Sequence, residues 1–232
     1  MKKYIAFVIL IVLGLNSFAQ KNEKAKNGLN IELLSFKQSS TNFENYINTV
    51  SDSLGVAGML TASPMQYGIG VSLLLNGFEL GADYSKSFSS GKANGAGTTA
   101  AKMNLTTFNV RIGPNFSLSK NLLFGCLFML TSNEVKLDVA STTPAISGRF
   151  KASDNENMFR SYFLKGRLQV IFNLPTKGDF FTAVKLIPFY DVAITKHNFY
   201  DASDNVLKNY NSEKTSNNNA LGVKLAFTLA SK

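Results

Sequence analysis

The stretch Tyr67-Gly68-Ile69-Gly70-Val71-Ser72-Leu73-Leu74-Leu75-Asn76-Gly77-Phe78-Glu79-Leu80-Gly81-Ala82-Asp83-Tyr84 decides how this chain folds. Apolar side chains stand at every second position on both sides of Asn76-Gly77. Successive side chains of a strand point to opposite faces, so period two means two strands. Asn-Gly supplies the two positive φ angles of a tight hairpin turn. In a two-residue hairpin Leu75 and Phe78 pair and share a face, which both halves of the pattern require. One face of the hairpin is apolar; the other carries Gly, Ser, Glu and Asp.

Similar alternation predicts strands at 29–36, 105–116, 122–131, 159–173, 180–195 and 220–229, making eight with the first pair. Their connections alternate. Residues 37–64, 87–104, 132–158 and 196–219 are long, whereas 76–77, 117–121 and 174–179 are short. An even strand number with short turns on one side and long loops on the other describes a transmembrane β-barrel. Two positions carry specific expectations. Pro188 lies within a strand and lacks a backbone donor, which predicts a bulge. Residues 122–131 are apolar on both faces, so the alternation leaves open which set faces lipid.

The N-terminus agrees with this destination. Lys2 and Lys3 precede an apolar run over 4–15, then Asn16-Ser17-Phe18-Ala19. This pattern reads as a secretory signal peptide, residues 1–19, leaving 20–232 as the mature barrel domain. The apolar run falls short of the roughly twenty residues of a spanning helix. No Cys follows the cleavage point to take a lipid. Loss of Lys2 and Lys3 lowers the formal charge from +9 to +7.

Composition excludes several classes. The 232 residues include one Cys, one His and no Trp, which removes a disulfide framework and most metal or His-based catalysis. Charged residues are 17% and hydrophobic ones 45%, too apolar for a disordered chain. No cofactor, catalytic residue or metal ligand is expected, and nucleic-acid binding has no motif.

On the eight strands and their loop alternation, the chain resembles the small eight-stranded outer-membrane barrels, the OmpX-like, OmpA-transmembrane-like and PorT-like families, over roughly residues 28–230. The strand Leu221, Val223, Leu225, Phe227, Leu229 looks like the C-terminal strand such proteins present to their assembly machinery, although it ends in Ser231-Lys232 rather than an aromatic. The resemblance implies an all-β, up-and-down antiparallel barrel in the outer membrane of a Gram-negative bacterium, with both termini periplasmic.

Parity then sorts the faces. If the apolar sets face lipid, the alternate positions face a narrow lumen and should be small or polar. Gly68, Gly70, Gly81, Gly113 and Gly222 fall there, where missing bulk helps strands curve. So do Glu32, Glu79, Asp83 and Asp191, with Arg111, Lys165, Arg167, Lys185 and Lys224. Lys or Arg facing midplane hydrocarbon costs about 2–4 kcal/mol, which places them inside. Mixed signs imply pairing, hence a salt-bridged, plugged interior. A soluble barrel of lipocalin type would invert the faces, and a face crowded with opposite charges and glycines makes a poor apolar ligand pocket.

Function then falls to the outer loops. Phe43, Tyr46, Ile47, Val50 and Leu54 recur at helical spacing behind a Thr41-Asn42-Phe43-Glu44 capping box, predicting a short helix that serves as a lid or meets a partner. Val135, Leu137 and Val139, then Ile146, Gly148 and Phe150, alternate on the two sides of Thr142-Thr143-Pro144, predicting a hairpin that projects beyond the bilayer, its edge either open to strand addition or simply solvated, with Ser153-Asp154-Asn155-Glu156-Asn157 interrupting it. Gly91-Lys92 lacks the spacing of a phosphate loop. His197 reads as a loop residue and Cys126 as a buried thiol. Lys86, Lys92, Lys102, Arg149, Lys151, Lys196 and Lys208 lie in or beside the outer loops, where lipopolysaccharide phosphates would be near; acidic residues are interspersed, so this is a preference rather than a patch. The expected role is structural or binding, as a monomer, with outer-membrane lipid and lipopolysaccharide and a protein at the extracellular loops as partners. A narrow pore for small solutes is the alternative, and a lipid-modifying enzyme follows it.

Overall fold

The computed structural model describes residues 28–40, 44, 48, 52, 64–93, 99–141, 158–176, 178, 180–195, 198–200 and 218–229. Its strands are β1 (Gly28–Ser40), β2 (Met65–Leu75), β3 (Phe78–Ala93), β4 (Thr99–Ser119), β5 (Leu122–Ser141), β6 (Met158–Pro175), β7 (Phe181–Ala193), β8 (Asn198–Tyr200) and β9 (Asn218–Leu229). Each pairs antiparallel with its neighbours in the order β1 to β7, then β9, and β9 pairs back onto β1. The short β8 pairs with β6 above the end of β7, so β7 and β8 form one stave of eight. Asn76 and Gly77 take φ of 51° and 83°, the left-handed pair of a type I′ turn, and Leu75 pairs with Phe78.

Crossing the pairs from Asn30 through Ser72, Gly81, Arg111, Met129 and Lys165 arrives at Ala193 on β7. Going the other way, through Thr228, arrives at Ala183 on the same strand. Arrival at positions 193 and 183 means a shear of ten residues. Eight tilted staves enclose room for their own side chains and little else.

The wall has two faces. Ile69 (63% exposed), Val71, Leu80, Ile112, Leu130 and Leu168 point outward with many other apolar side chains. So broad an exposed apolar belt belongs in hydrocarbon, where closure of the sheet leaves no unpaired backbone edge. Exposed Tyr67, Tyr84, Phe108, Tyr162 and Tyr190 stand toward the loop end, and Phe78, Phe172 and Phe180 toward the short turns. They correspond to the two interfacial girdles of a transmembrane barrel. Among the described residues no helix is long and apolar enough to cross a membrane.

Several expectations from sequence need correction. Strands β3, β4 and β5 run well past the apolar alternation, leaving 94–98 rather than 87–104 as the second connection. Above the bilayer the backbone continues to pair while outward Lys86, Lys102, Asn104, Glu134, Lys136 and Asp138 break the apolar alternation, so hydropathy loses sight of it. Val135 pairs with Leu105 on one side and Phe159 on the other, and Val135 and Leu137 are buried. The strand carrying Val135 does run on above the outer girdle, but as part of the wall, paired with β4 as far as Ser141 and with β6 as far as Lys136; Ile146, Gly148 and Phe150 lie outside the described residues. Pro188 forms no bulge. It pairs with Val223, while the β6–β7 ladder passes from Gln169↔Phe189 to Phe172↔Leu186 in unchanged register. The missing donor interrupts the ladder on one side, and the intact β9 ladder holds the strand. Pro114 interrupts β4–β5 in the same way. In β5, Leu123, Leu127 and Met129 face inward, with Phe128 and Leu130 outward.

Placing Val71→Arg in the middle of the wall is expected to lower stability by about 2–4 kcal/mol in phospholipid vesicles. Urea titration of the vesicle-folded protein measures it; an unchanged midpoint would mean that this face does not meet lipid.

Candidate functional site

The candidate site is the lumen, and parity builds it. Inward positions of β1, β3, β4, β6, β7 and β9 carry Glu32, Glu79, Asp83, Arg111, Lys165, Arg167, Lys185, Asp191 and Lys224, all buried. Arg111 on β4 is the hub. Its Nη2 donates to Glu32 Oε2 at 2.5 Å, its Nε to Glu79 Oε1 at 2.8 Å and its Nη1 to Asp83 Oδ2 at 2.6 Å. One guanidinium thus meets three carboxylates, using the fork geometry that lysine lacks. Two further bases balance the excess acid. Lys224 Nζ lies 3.6 Å from Glu32 and 3.8 Å from Glu79, and Arg167 Nη1 lies 3.8 Å from Asp83.

Arg167 has its own partner: Nε and Nη2 donate to the two oxygens of Asp191 at 2.6 and 2.9 Å, and its guanidinium stacks 3.9 Å over the Phe189 ring. Among the described residues Lys185 and Lys165 form no ion pair with a carboxylate. Lys185 Nζ donates to Asn30 Oδ1 at 2.9 Å. Lys165 Nζ reaches Gln38 Oε1 at 3.4 Å and the Phe163 ring at 4.9 Å. The Lys165 bond crosses the lumen from β6 to β1, and the Lys185 bond passes over β9 from β7 to β1.

The amides and hydroxyls that finish the network do not stand out in sequence. Asn109 and Asn115 donate to Asp83 and Glu79 at 2.6 and 2.9 Å, Gln169 reaches Glu79 at 2.8 Å, and Ser72 donates to Glu32 at 2.7 Å. Thr131 donates to Asn109 in turn. Their signal is the inward parity they share with the ions. The three carboxylates spend their oxygens on Arg111 and these donors, and among the described residues no group of His, Cys, Asp and Glu is placed to hold a metal.

Glycines make room for the network. A Cβ at Gly81 would lie 2.7 Å from Arg111 Nη2 and 2.8 Å from Cζ, so the guanidinium rests flat on that residue. Gly125 leaves the same kind of space for Asn115 and Gln169. Curvature, the expectation from sequence, is thus joined by a second reason: ionic side chains occupy the vacated volume. The inward face is also less uniformly small and polar than expected. Leu34, Phe36, Met103, Leu137, Phe163 and Phe189 are buried inside toward the loop end. Leu34 pairs with Lys224, and Phe163 and Phe189 lie against Lys165 and Arg167, so apolar side chains share the bore with the ions.

Residues 1–19, Lys196 and His197 lie outside the described residues, as do Phe43, Tyr46, Ile47, Val50 and Leu54. Glu44, Asn48 and Asp52 are helical, and Ser39 Oγ donates to Glu44 Oε1 at 3.1 Å. Cys126 is half-buried on the outward face.

Arg111→Met is expected to lower stability by about 3–5 kcal/mol, because it strands three carboxylates without their hub. Adding Glu79→Gln is expected to recover part of that loss, since it removes one stranded carboxylate and leaves Glu32 beside Lys224 and Asp83 beside Arg167. Urea unfolding of the two variants decides it; a double variant weaker than the single one would show that the hub does not act through charge. Gly81→Ala is expected to cost about 1–3 kcal/mol through overpacking against the same guanidinium.

No protein-family pattern matches the chain, and no curated protein matches it in sequence. Solved structures similar to it include Neisserial surface protein A, at 12% identity over 89% of this chain and 99% of that one, with a TM-score of 0.47. Ail, the attachment invasion locus protein of Yersinia pestis, is 8% identical over 90% of this chain and 100% of its own, with a TM-score of 0.41. The outer membrane protein OprG from Pseudomonas aeruginosa is 12% identical over 90% and 95%, with a TM-score of 0.35. By the number of its staves, their up-and-down order and the two faces of its wall, the chain has the fold of the small eight-stranded outer-membrane β-barrels.

Proposed function

We propose that the chain is a monomeric outer-membrane barrel, exported by the signal peptide at 1–19, whose lumen is plugged by its own ionic network. Its role is structural or binding, exercised through the loops at the open end toward lipid, lipopolysaccharide or a protein partner, without catalysis. The observation that carries this reading is the crossing of the bore by paired side chains. Gln169 on β6 reaches Glu79 on β3, Lys165 on β6 reaches Gln38 on β1, and Arg111 gathers acids from β1 and β3. A permeating ion would have to displace charge-assisted hydrogen bonds in a low dielectric, where each is at its strongest. With transport disfavoured, the surfaces left for function are the outer wall and the loops.

Reconstitution into planar bilayers tests the plug: the purified protein is expected to pass no steady current. Steady ion-sized currents that change on Arg111→Met would establish the narrow pore instead. Membrane fractionation with gel mobility before and after heating tests the location; a soluble periplasmic protein without a heat-dependent shift would remove the outer-membrane reading altogether.

A further inference from the structure

We propose that the outer wall of β4, β5 and β6 carries a binding site for a bisphosphorylated glycolipid headgroup, formed by Lys102, Lys136 and Arg160. The inference rests on the outer-membrane reading and deepens its lipid partner into a located site. All three bases have outward parity on consecutive staves, Lys102 and Lys136 exposed and Arg160 half-exposed. Lys102 pairs with Asp138 and Lys136 with Met158, so each base stands two residues nearer the short-turn end than the pairing partner of the one before. A shear of ten residues over eight staves makes level positions drift from the pairing line in that same direction, by one to two residues per stave. The three cations therefore form a row close to parallel with the membrane plane.

Below this row, past the outward Asn104, Thr106, Ser132 and Glu134, Phe108, Leu130 and Tyr162 on the same three staves are exposed to lipid. A bulky headgroup whose chains lie along that apolar surface reaches up across these polar positions to the cations. A protein partner would instead approach from the mouth, without using the wall. Lys136 Nζ and Arg160 Nε each lie 3.8 Å from Glu134, one carboxylate shared by two bases. Such long, part-exposed ion pairs bind weakly, but they gather the two cations at one spot with an unmatched positive charge. Lys102 forms no ion pair among the described residues, although Asp138 stands opposite it on β5. Two separate cationic positions, Lys102 and the Lys136/Arg160 pair, match a headgroup with two phosphates better than one with a single phosphate. Lys86, paired with Thr106, stands four pairs nearer the short-turn end than Lys102↔Ser90 and lies apart from the row.

Native mass spectrometry of the refolded protein in zwitterionic detergent tests the site, with bisphosphorylated lipid A, its monophosphorylated form and phosphatidylglycerol as probes. The wild-type protein is expected to retain the bisphosphorylated glycolipid most and phosphatidylglycerol least. Joint replacement Lys102→Gln, Lys136→Gln and Arg160→Gln is expected to weaken lipid A retention roughly a hundredfold, at about a factor of five per charge. Lys120→Gln, on a turn at the opposite end, should leave it unchanged. A heat-dependent gel shift in every variant establishes that each has folded. Equal retention by the triple variant and the wild type overturns the site, and equal wild-type retention of phosphatidylglycerol overturns the headgroup assignment. A protein silent in planar bilayers that retains no lipid A loses this site and keeps its plug; one that conducts and retains lipid A loses the plug and keeps the site.

Discussion

The structure depends on one constraint: within hydrocarbon no water exists to satisfy a backbone donor or acceptor, so the sheet must close on itself. The β1–β9 ladder performs that closure, from Asn30↔Thr228 to Ser40↔Asn218. Everything else in the wall follows from it. Closure over eight tilted staves fixes a bore that only side chains can fill. The requirement then passes from the backbone to the inward residues, which must fill that bore without leaving ions unpaired. The two prolines show how little slack closure needs. Each breaks two rungs of one ladder, and neither shifts the register, because the opposite ladder is intact.

Inside, the limiting quantity is charge neutralisation at close range. A buried carboxylate without a partner is far more destabilising than a buried pair is stabilising, so the value of Arg111 lies in what its three acids would suffer without it. Glycine at 81 is part of the same arrangement, since the guanidinium can lie against β3 only where that strand has no side chain. Five bases face four acids in the bore, and the surplus positive charge is eased by neutral groups. Asn30 and Gln38 accept from Lys185 and Lys165, and the rings of Phe163 and Phe189 lie under Lys165 and Arg167.

How much of this was legible in the residues depends on how far period-two alternation reaches. Between the two girdles it gave strand number, hairpin register at Leu75↔Phe78 and the side on which each ion stands. Above the outer girdle it failed, because solvated strands such as 88–93 and 132–141 need no apolar face to pair. In β5 it was silent, because Leu123, Leu127 and Met129 fill the bore while Phe128 and Leu130 meet lipid, and both sets are apolar. Which acid meets which base was not legible at all. Glu32 and Arg111 are 79 residues apart in sequence, and only the closed barrel with its particular shear brings β1 and β4 to one point. The row of Lys102, Lys136 and Arg160 is hidden for the same reason: its level course appears only once the tilt of the staves is known.

Polar and apolar side chains share the bore. Leu34 pairs with Lys224 beside the hub, and with Phe36, Phe189 and Ala220 it forms an apolar cluster. On the loop side, buried Gln38, Gln66, Ser85, Asn133, Ser161 and Lys165 stand among Met103, Val135, Leu137 and Phe163. Apolar neighbours lower the local dielectric, which strengthens the ion pairs they touch and makes their separation more costly. Arg167 shows both contacts at once, paired with Asp191 on one side and stacked on Phe189 on the other. Opening a channel would therefore mean separating charge-assisted pairs and exposing apolar surface in the same step, which is the physical ground for proposing a plugged barrel over a narrow channel.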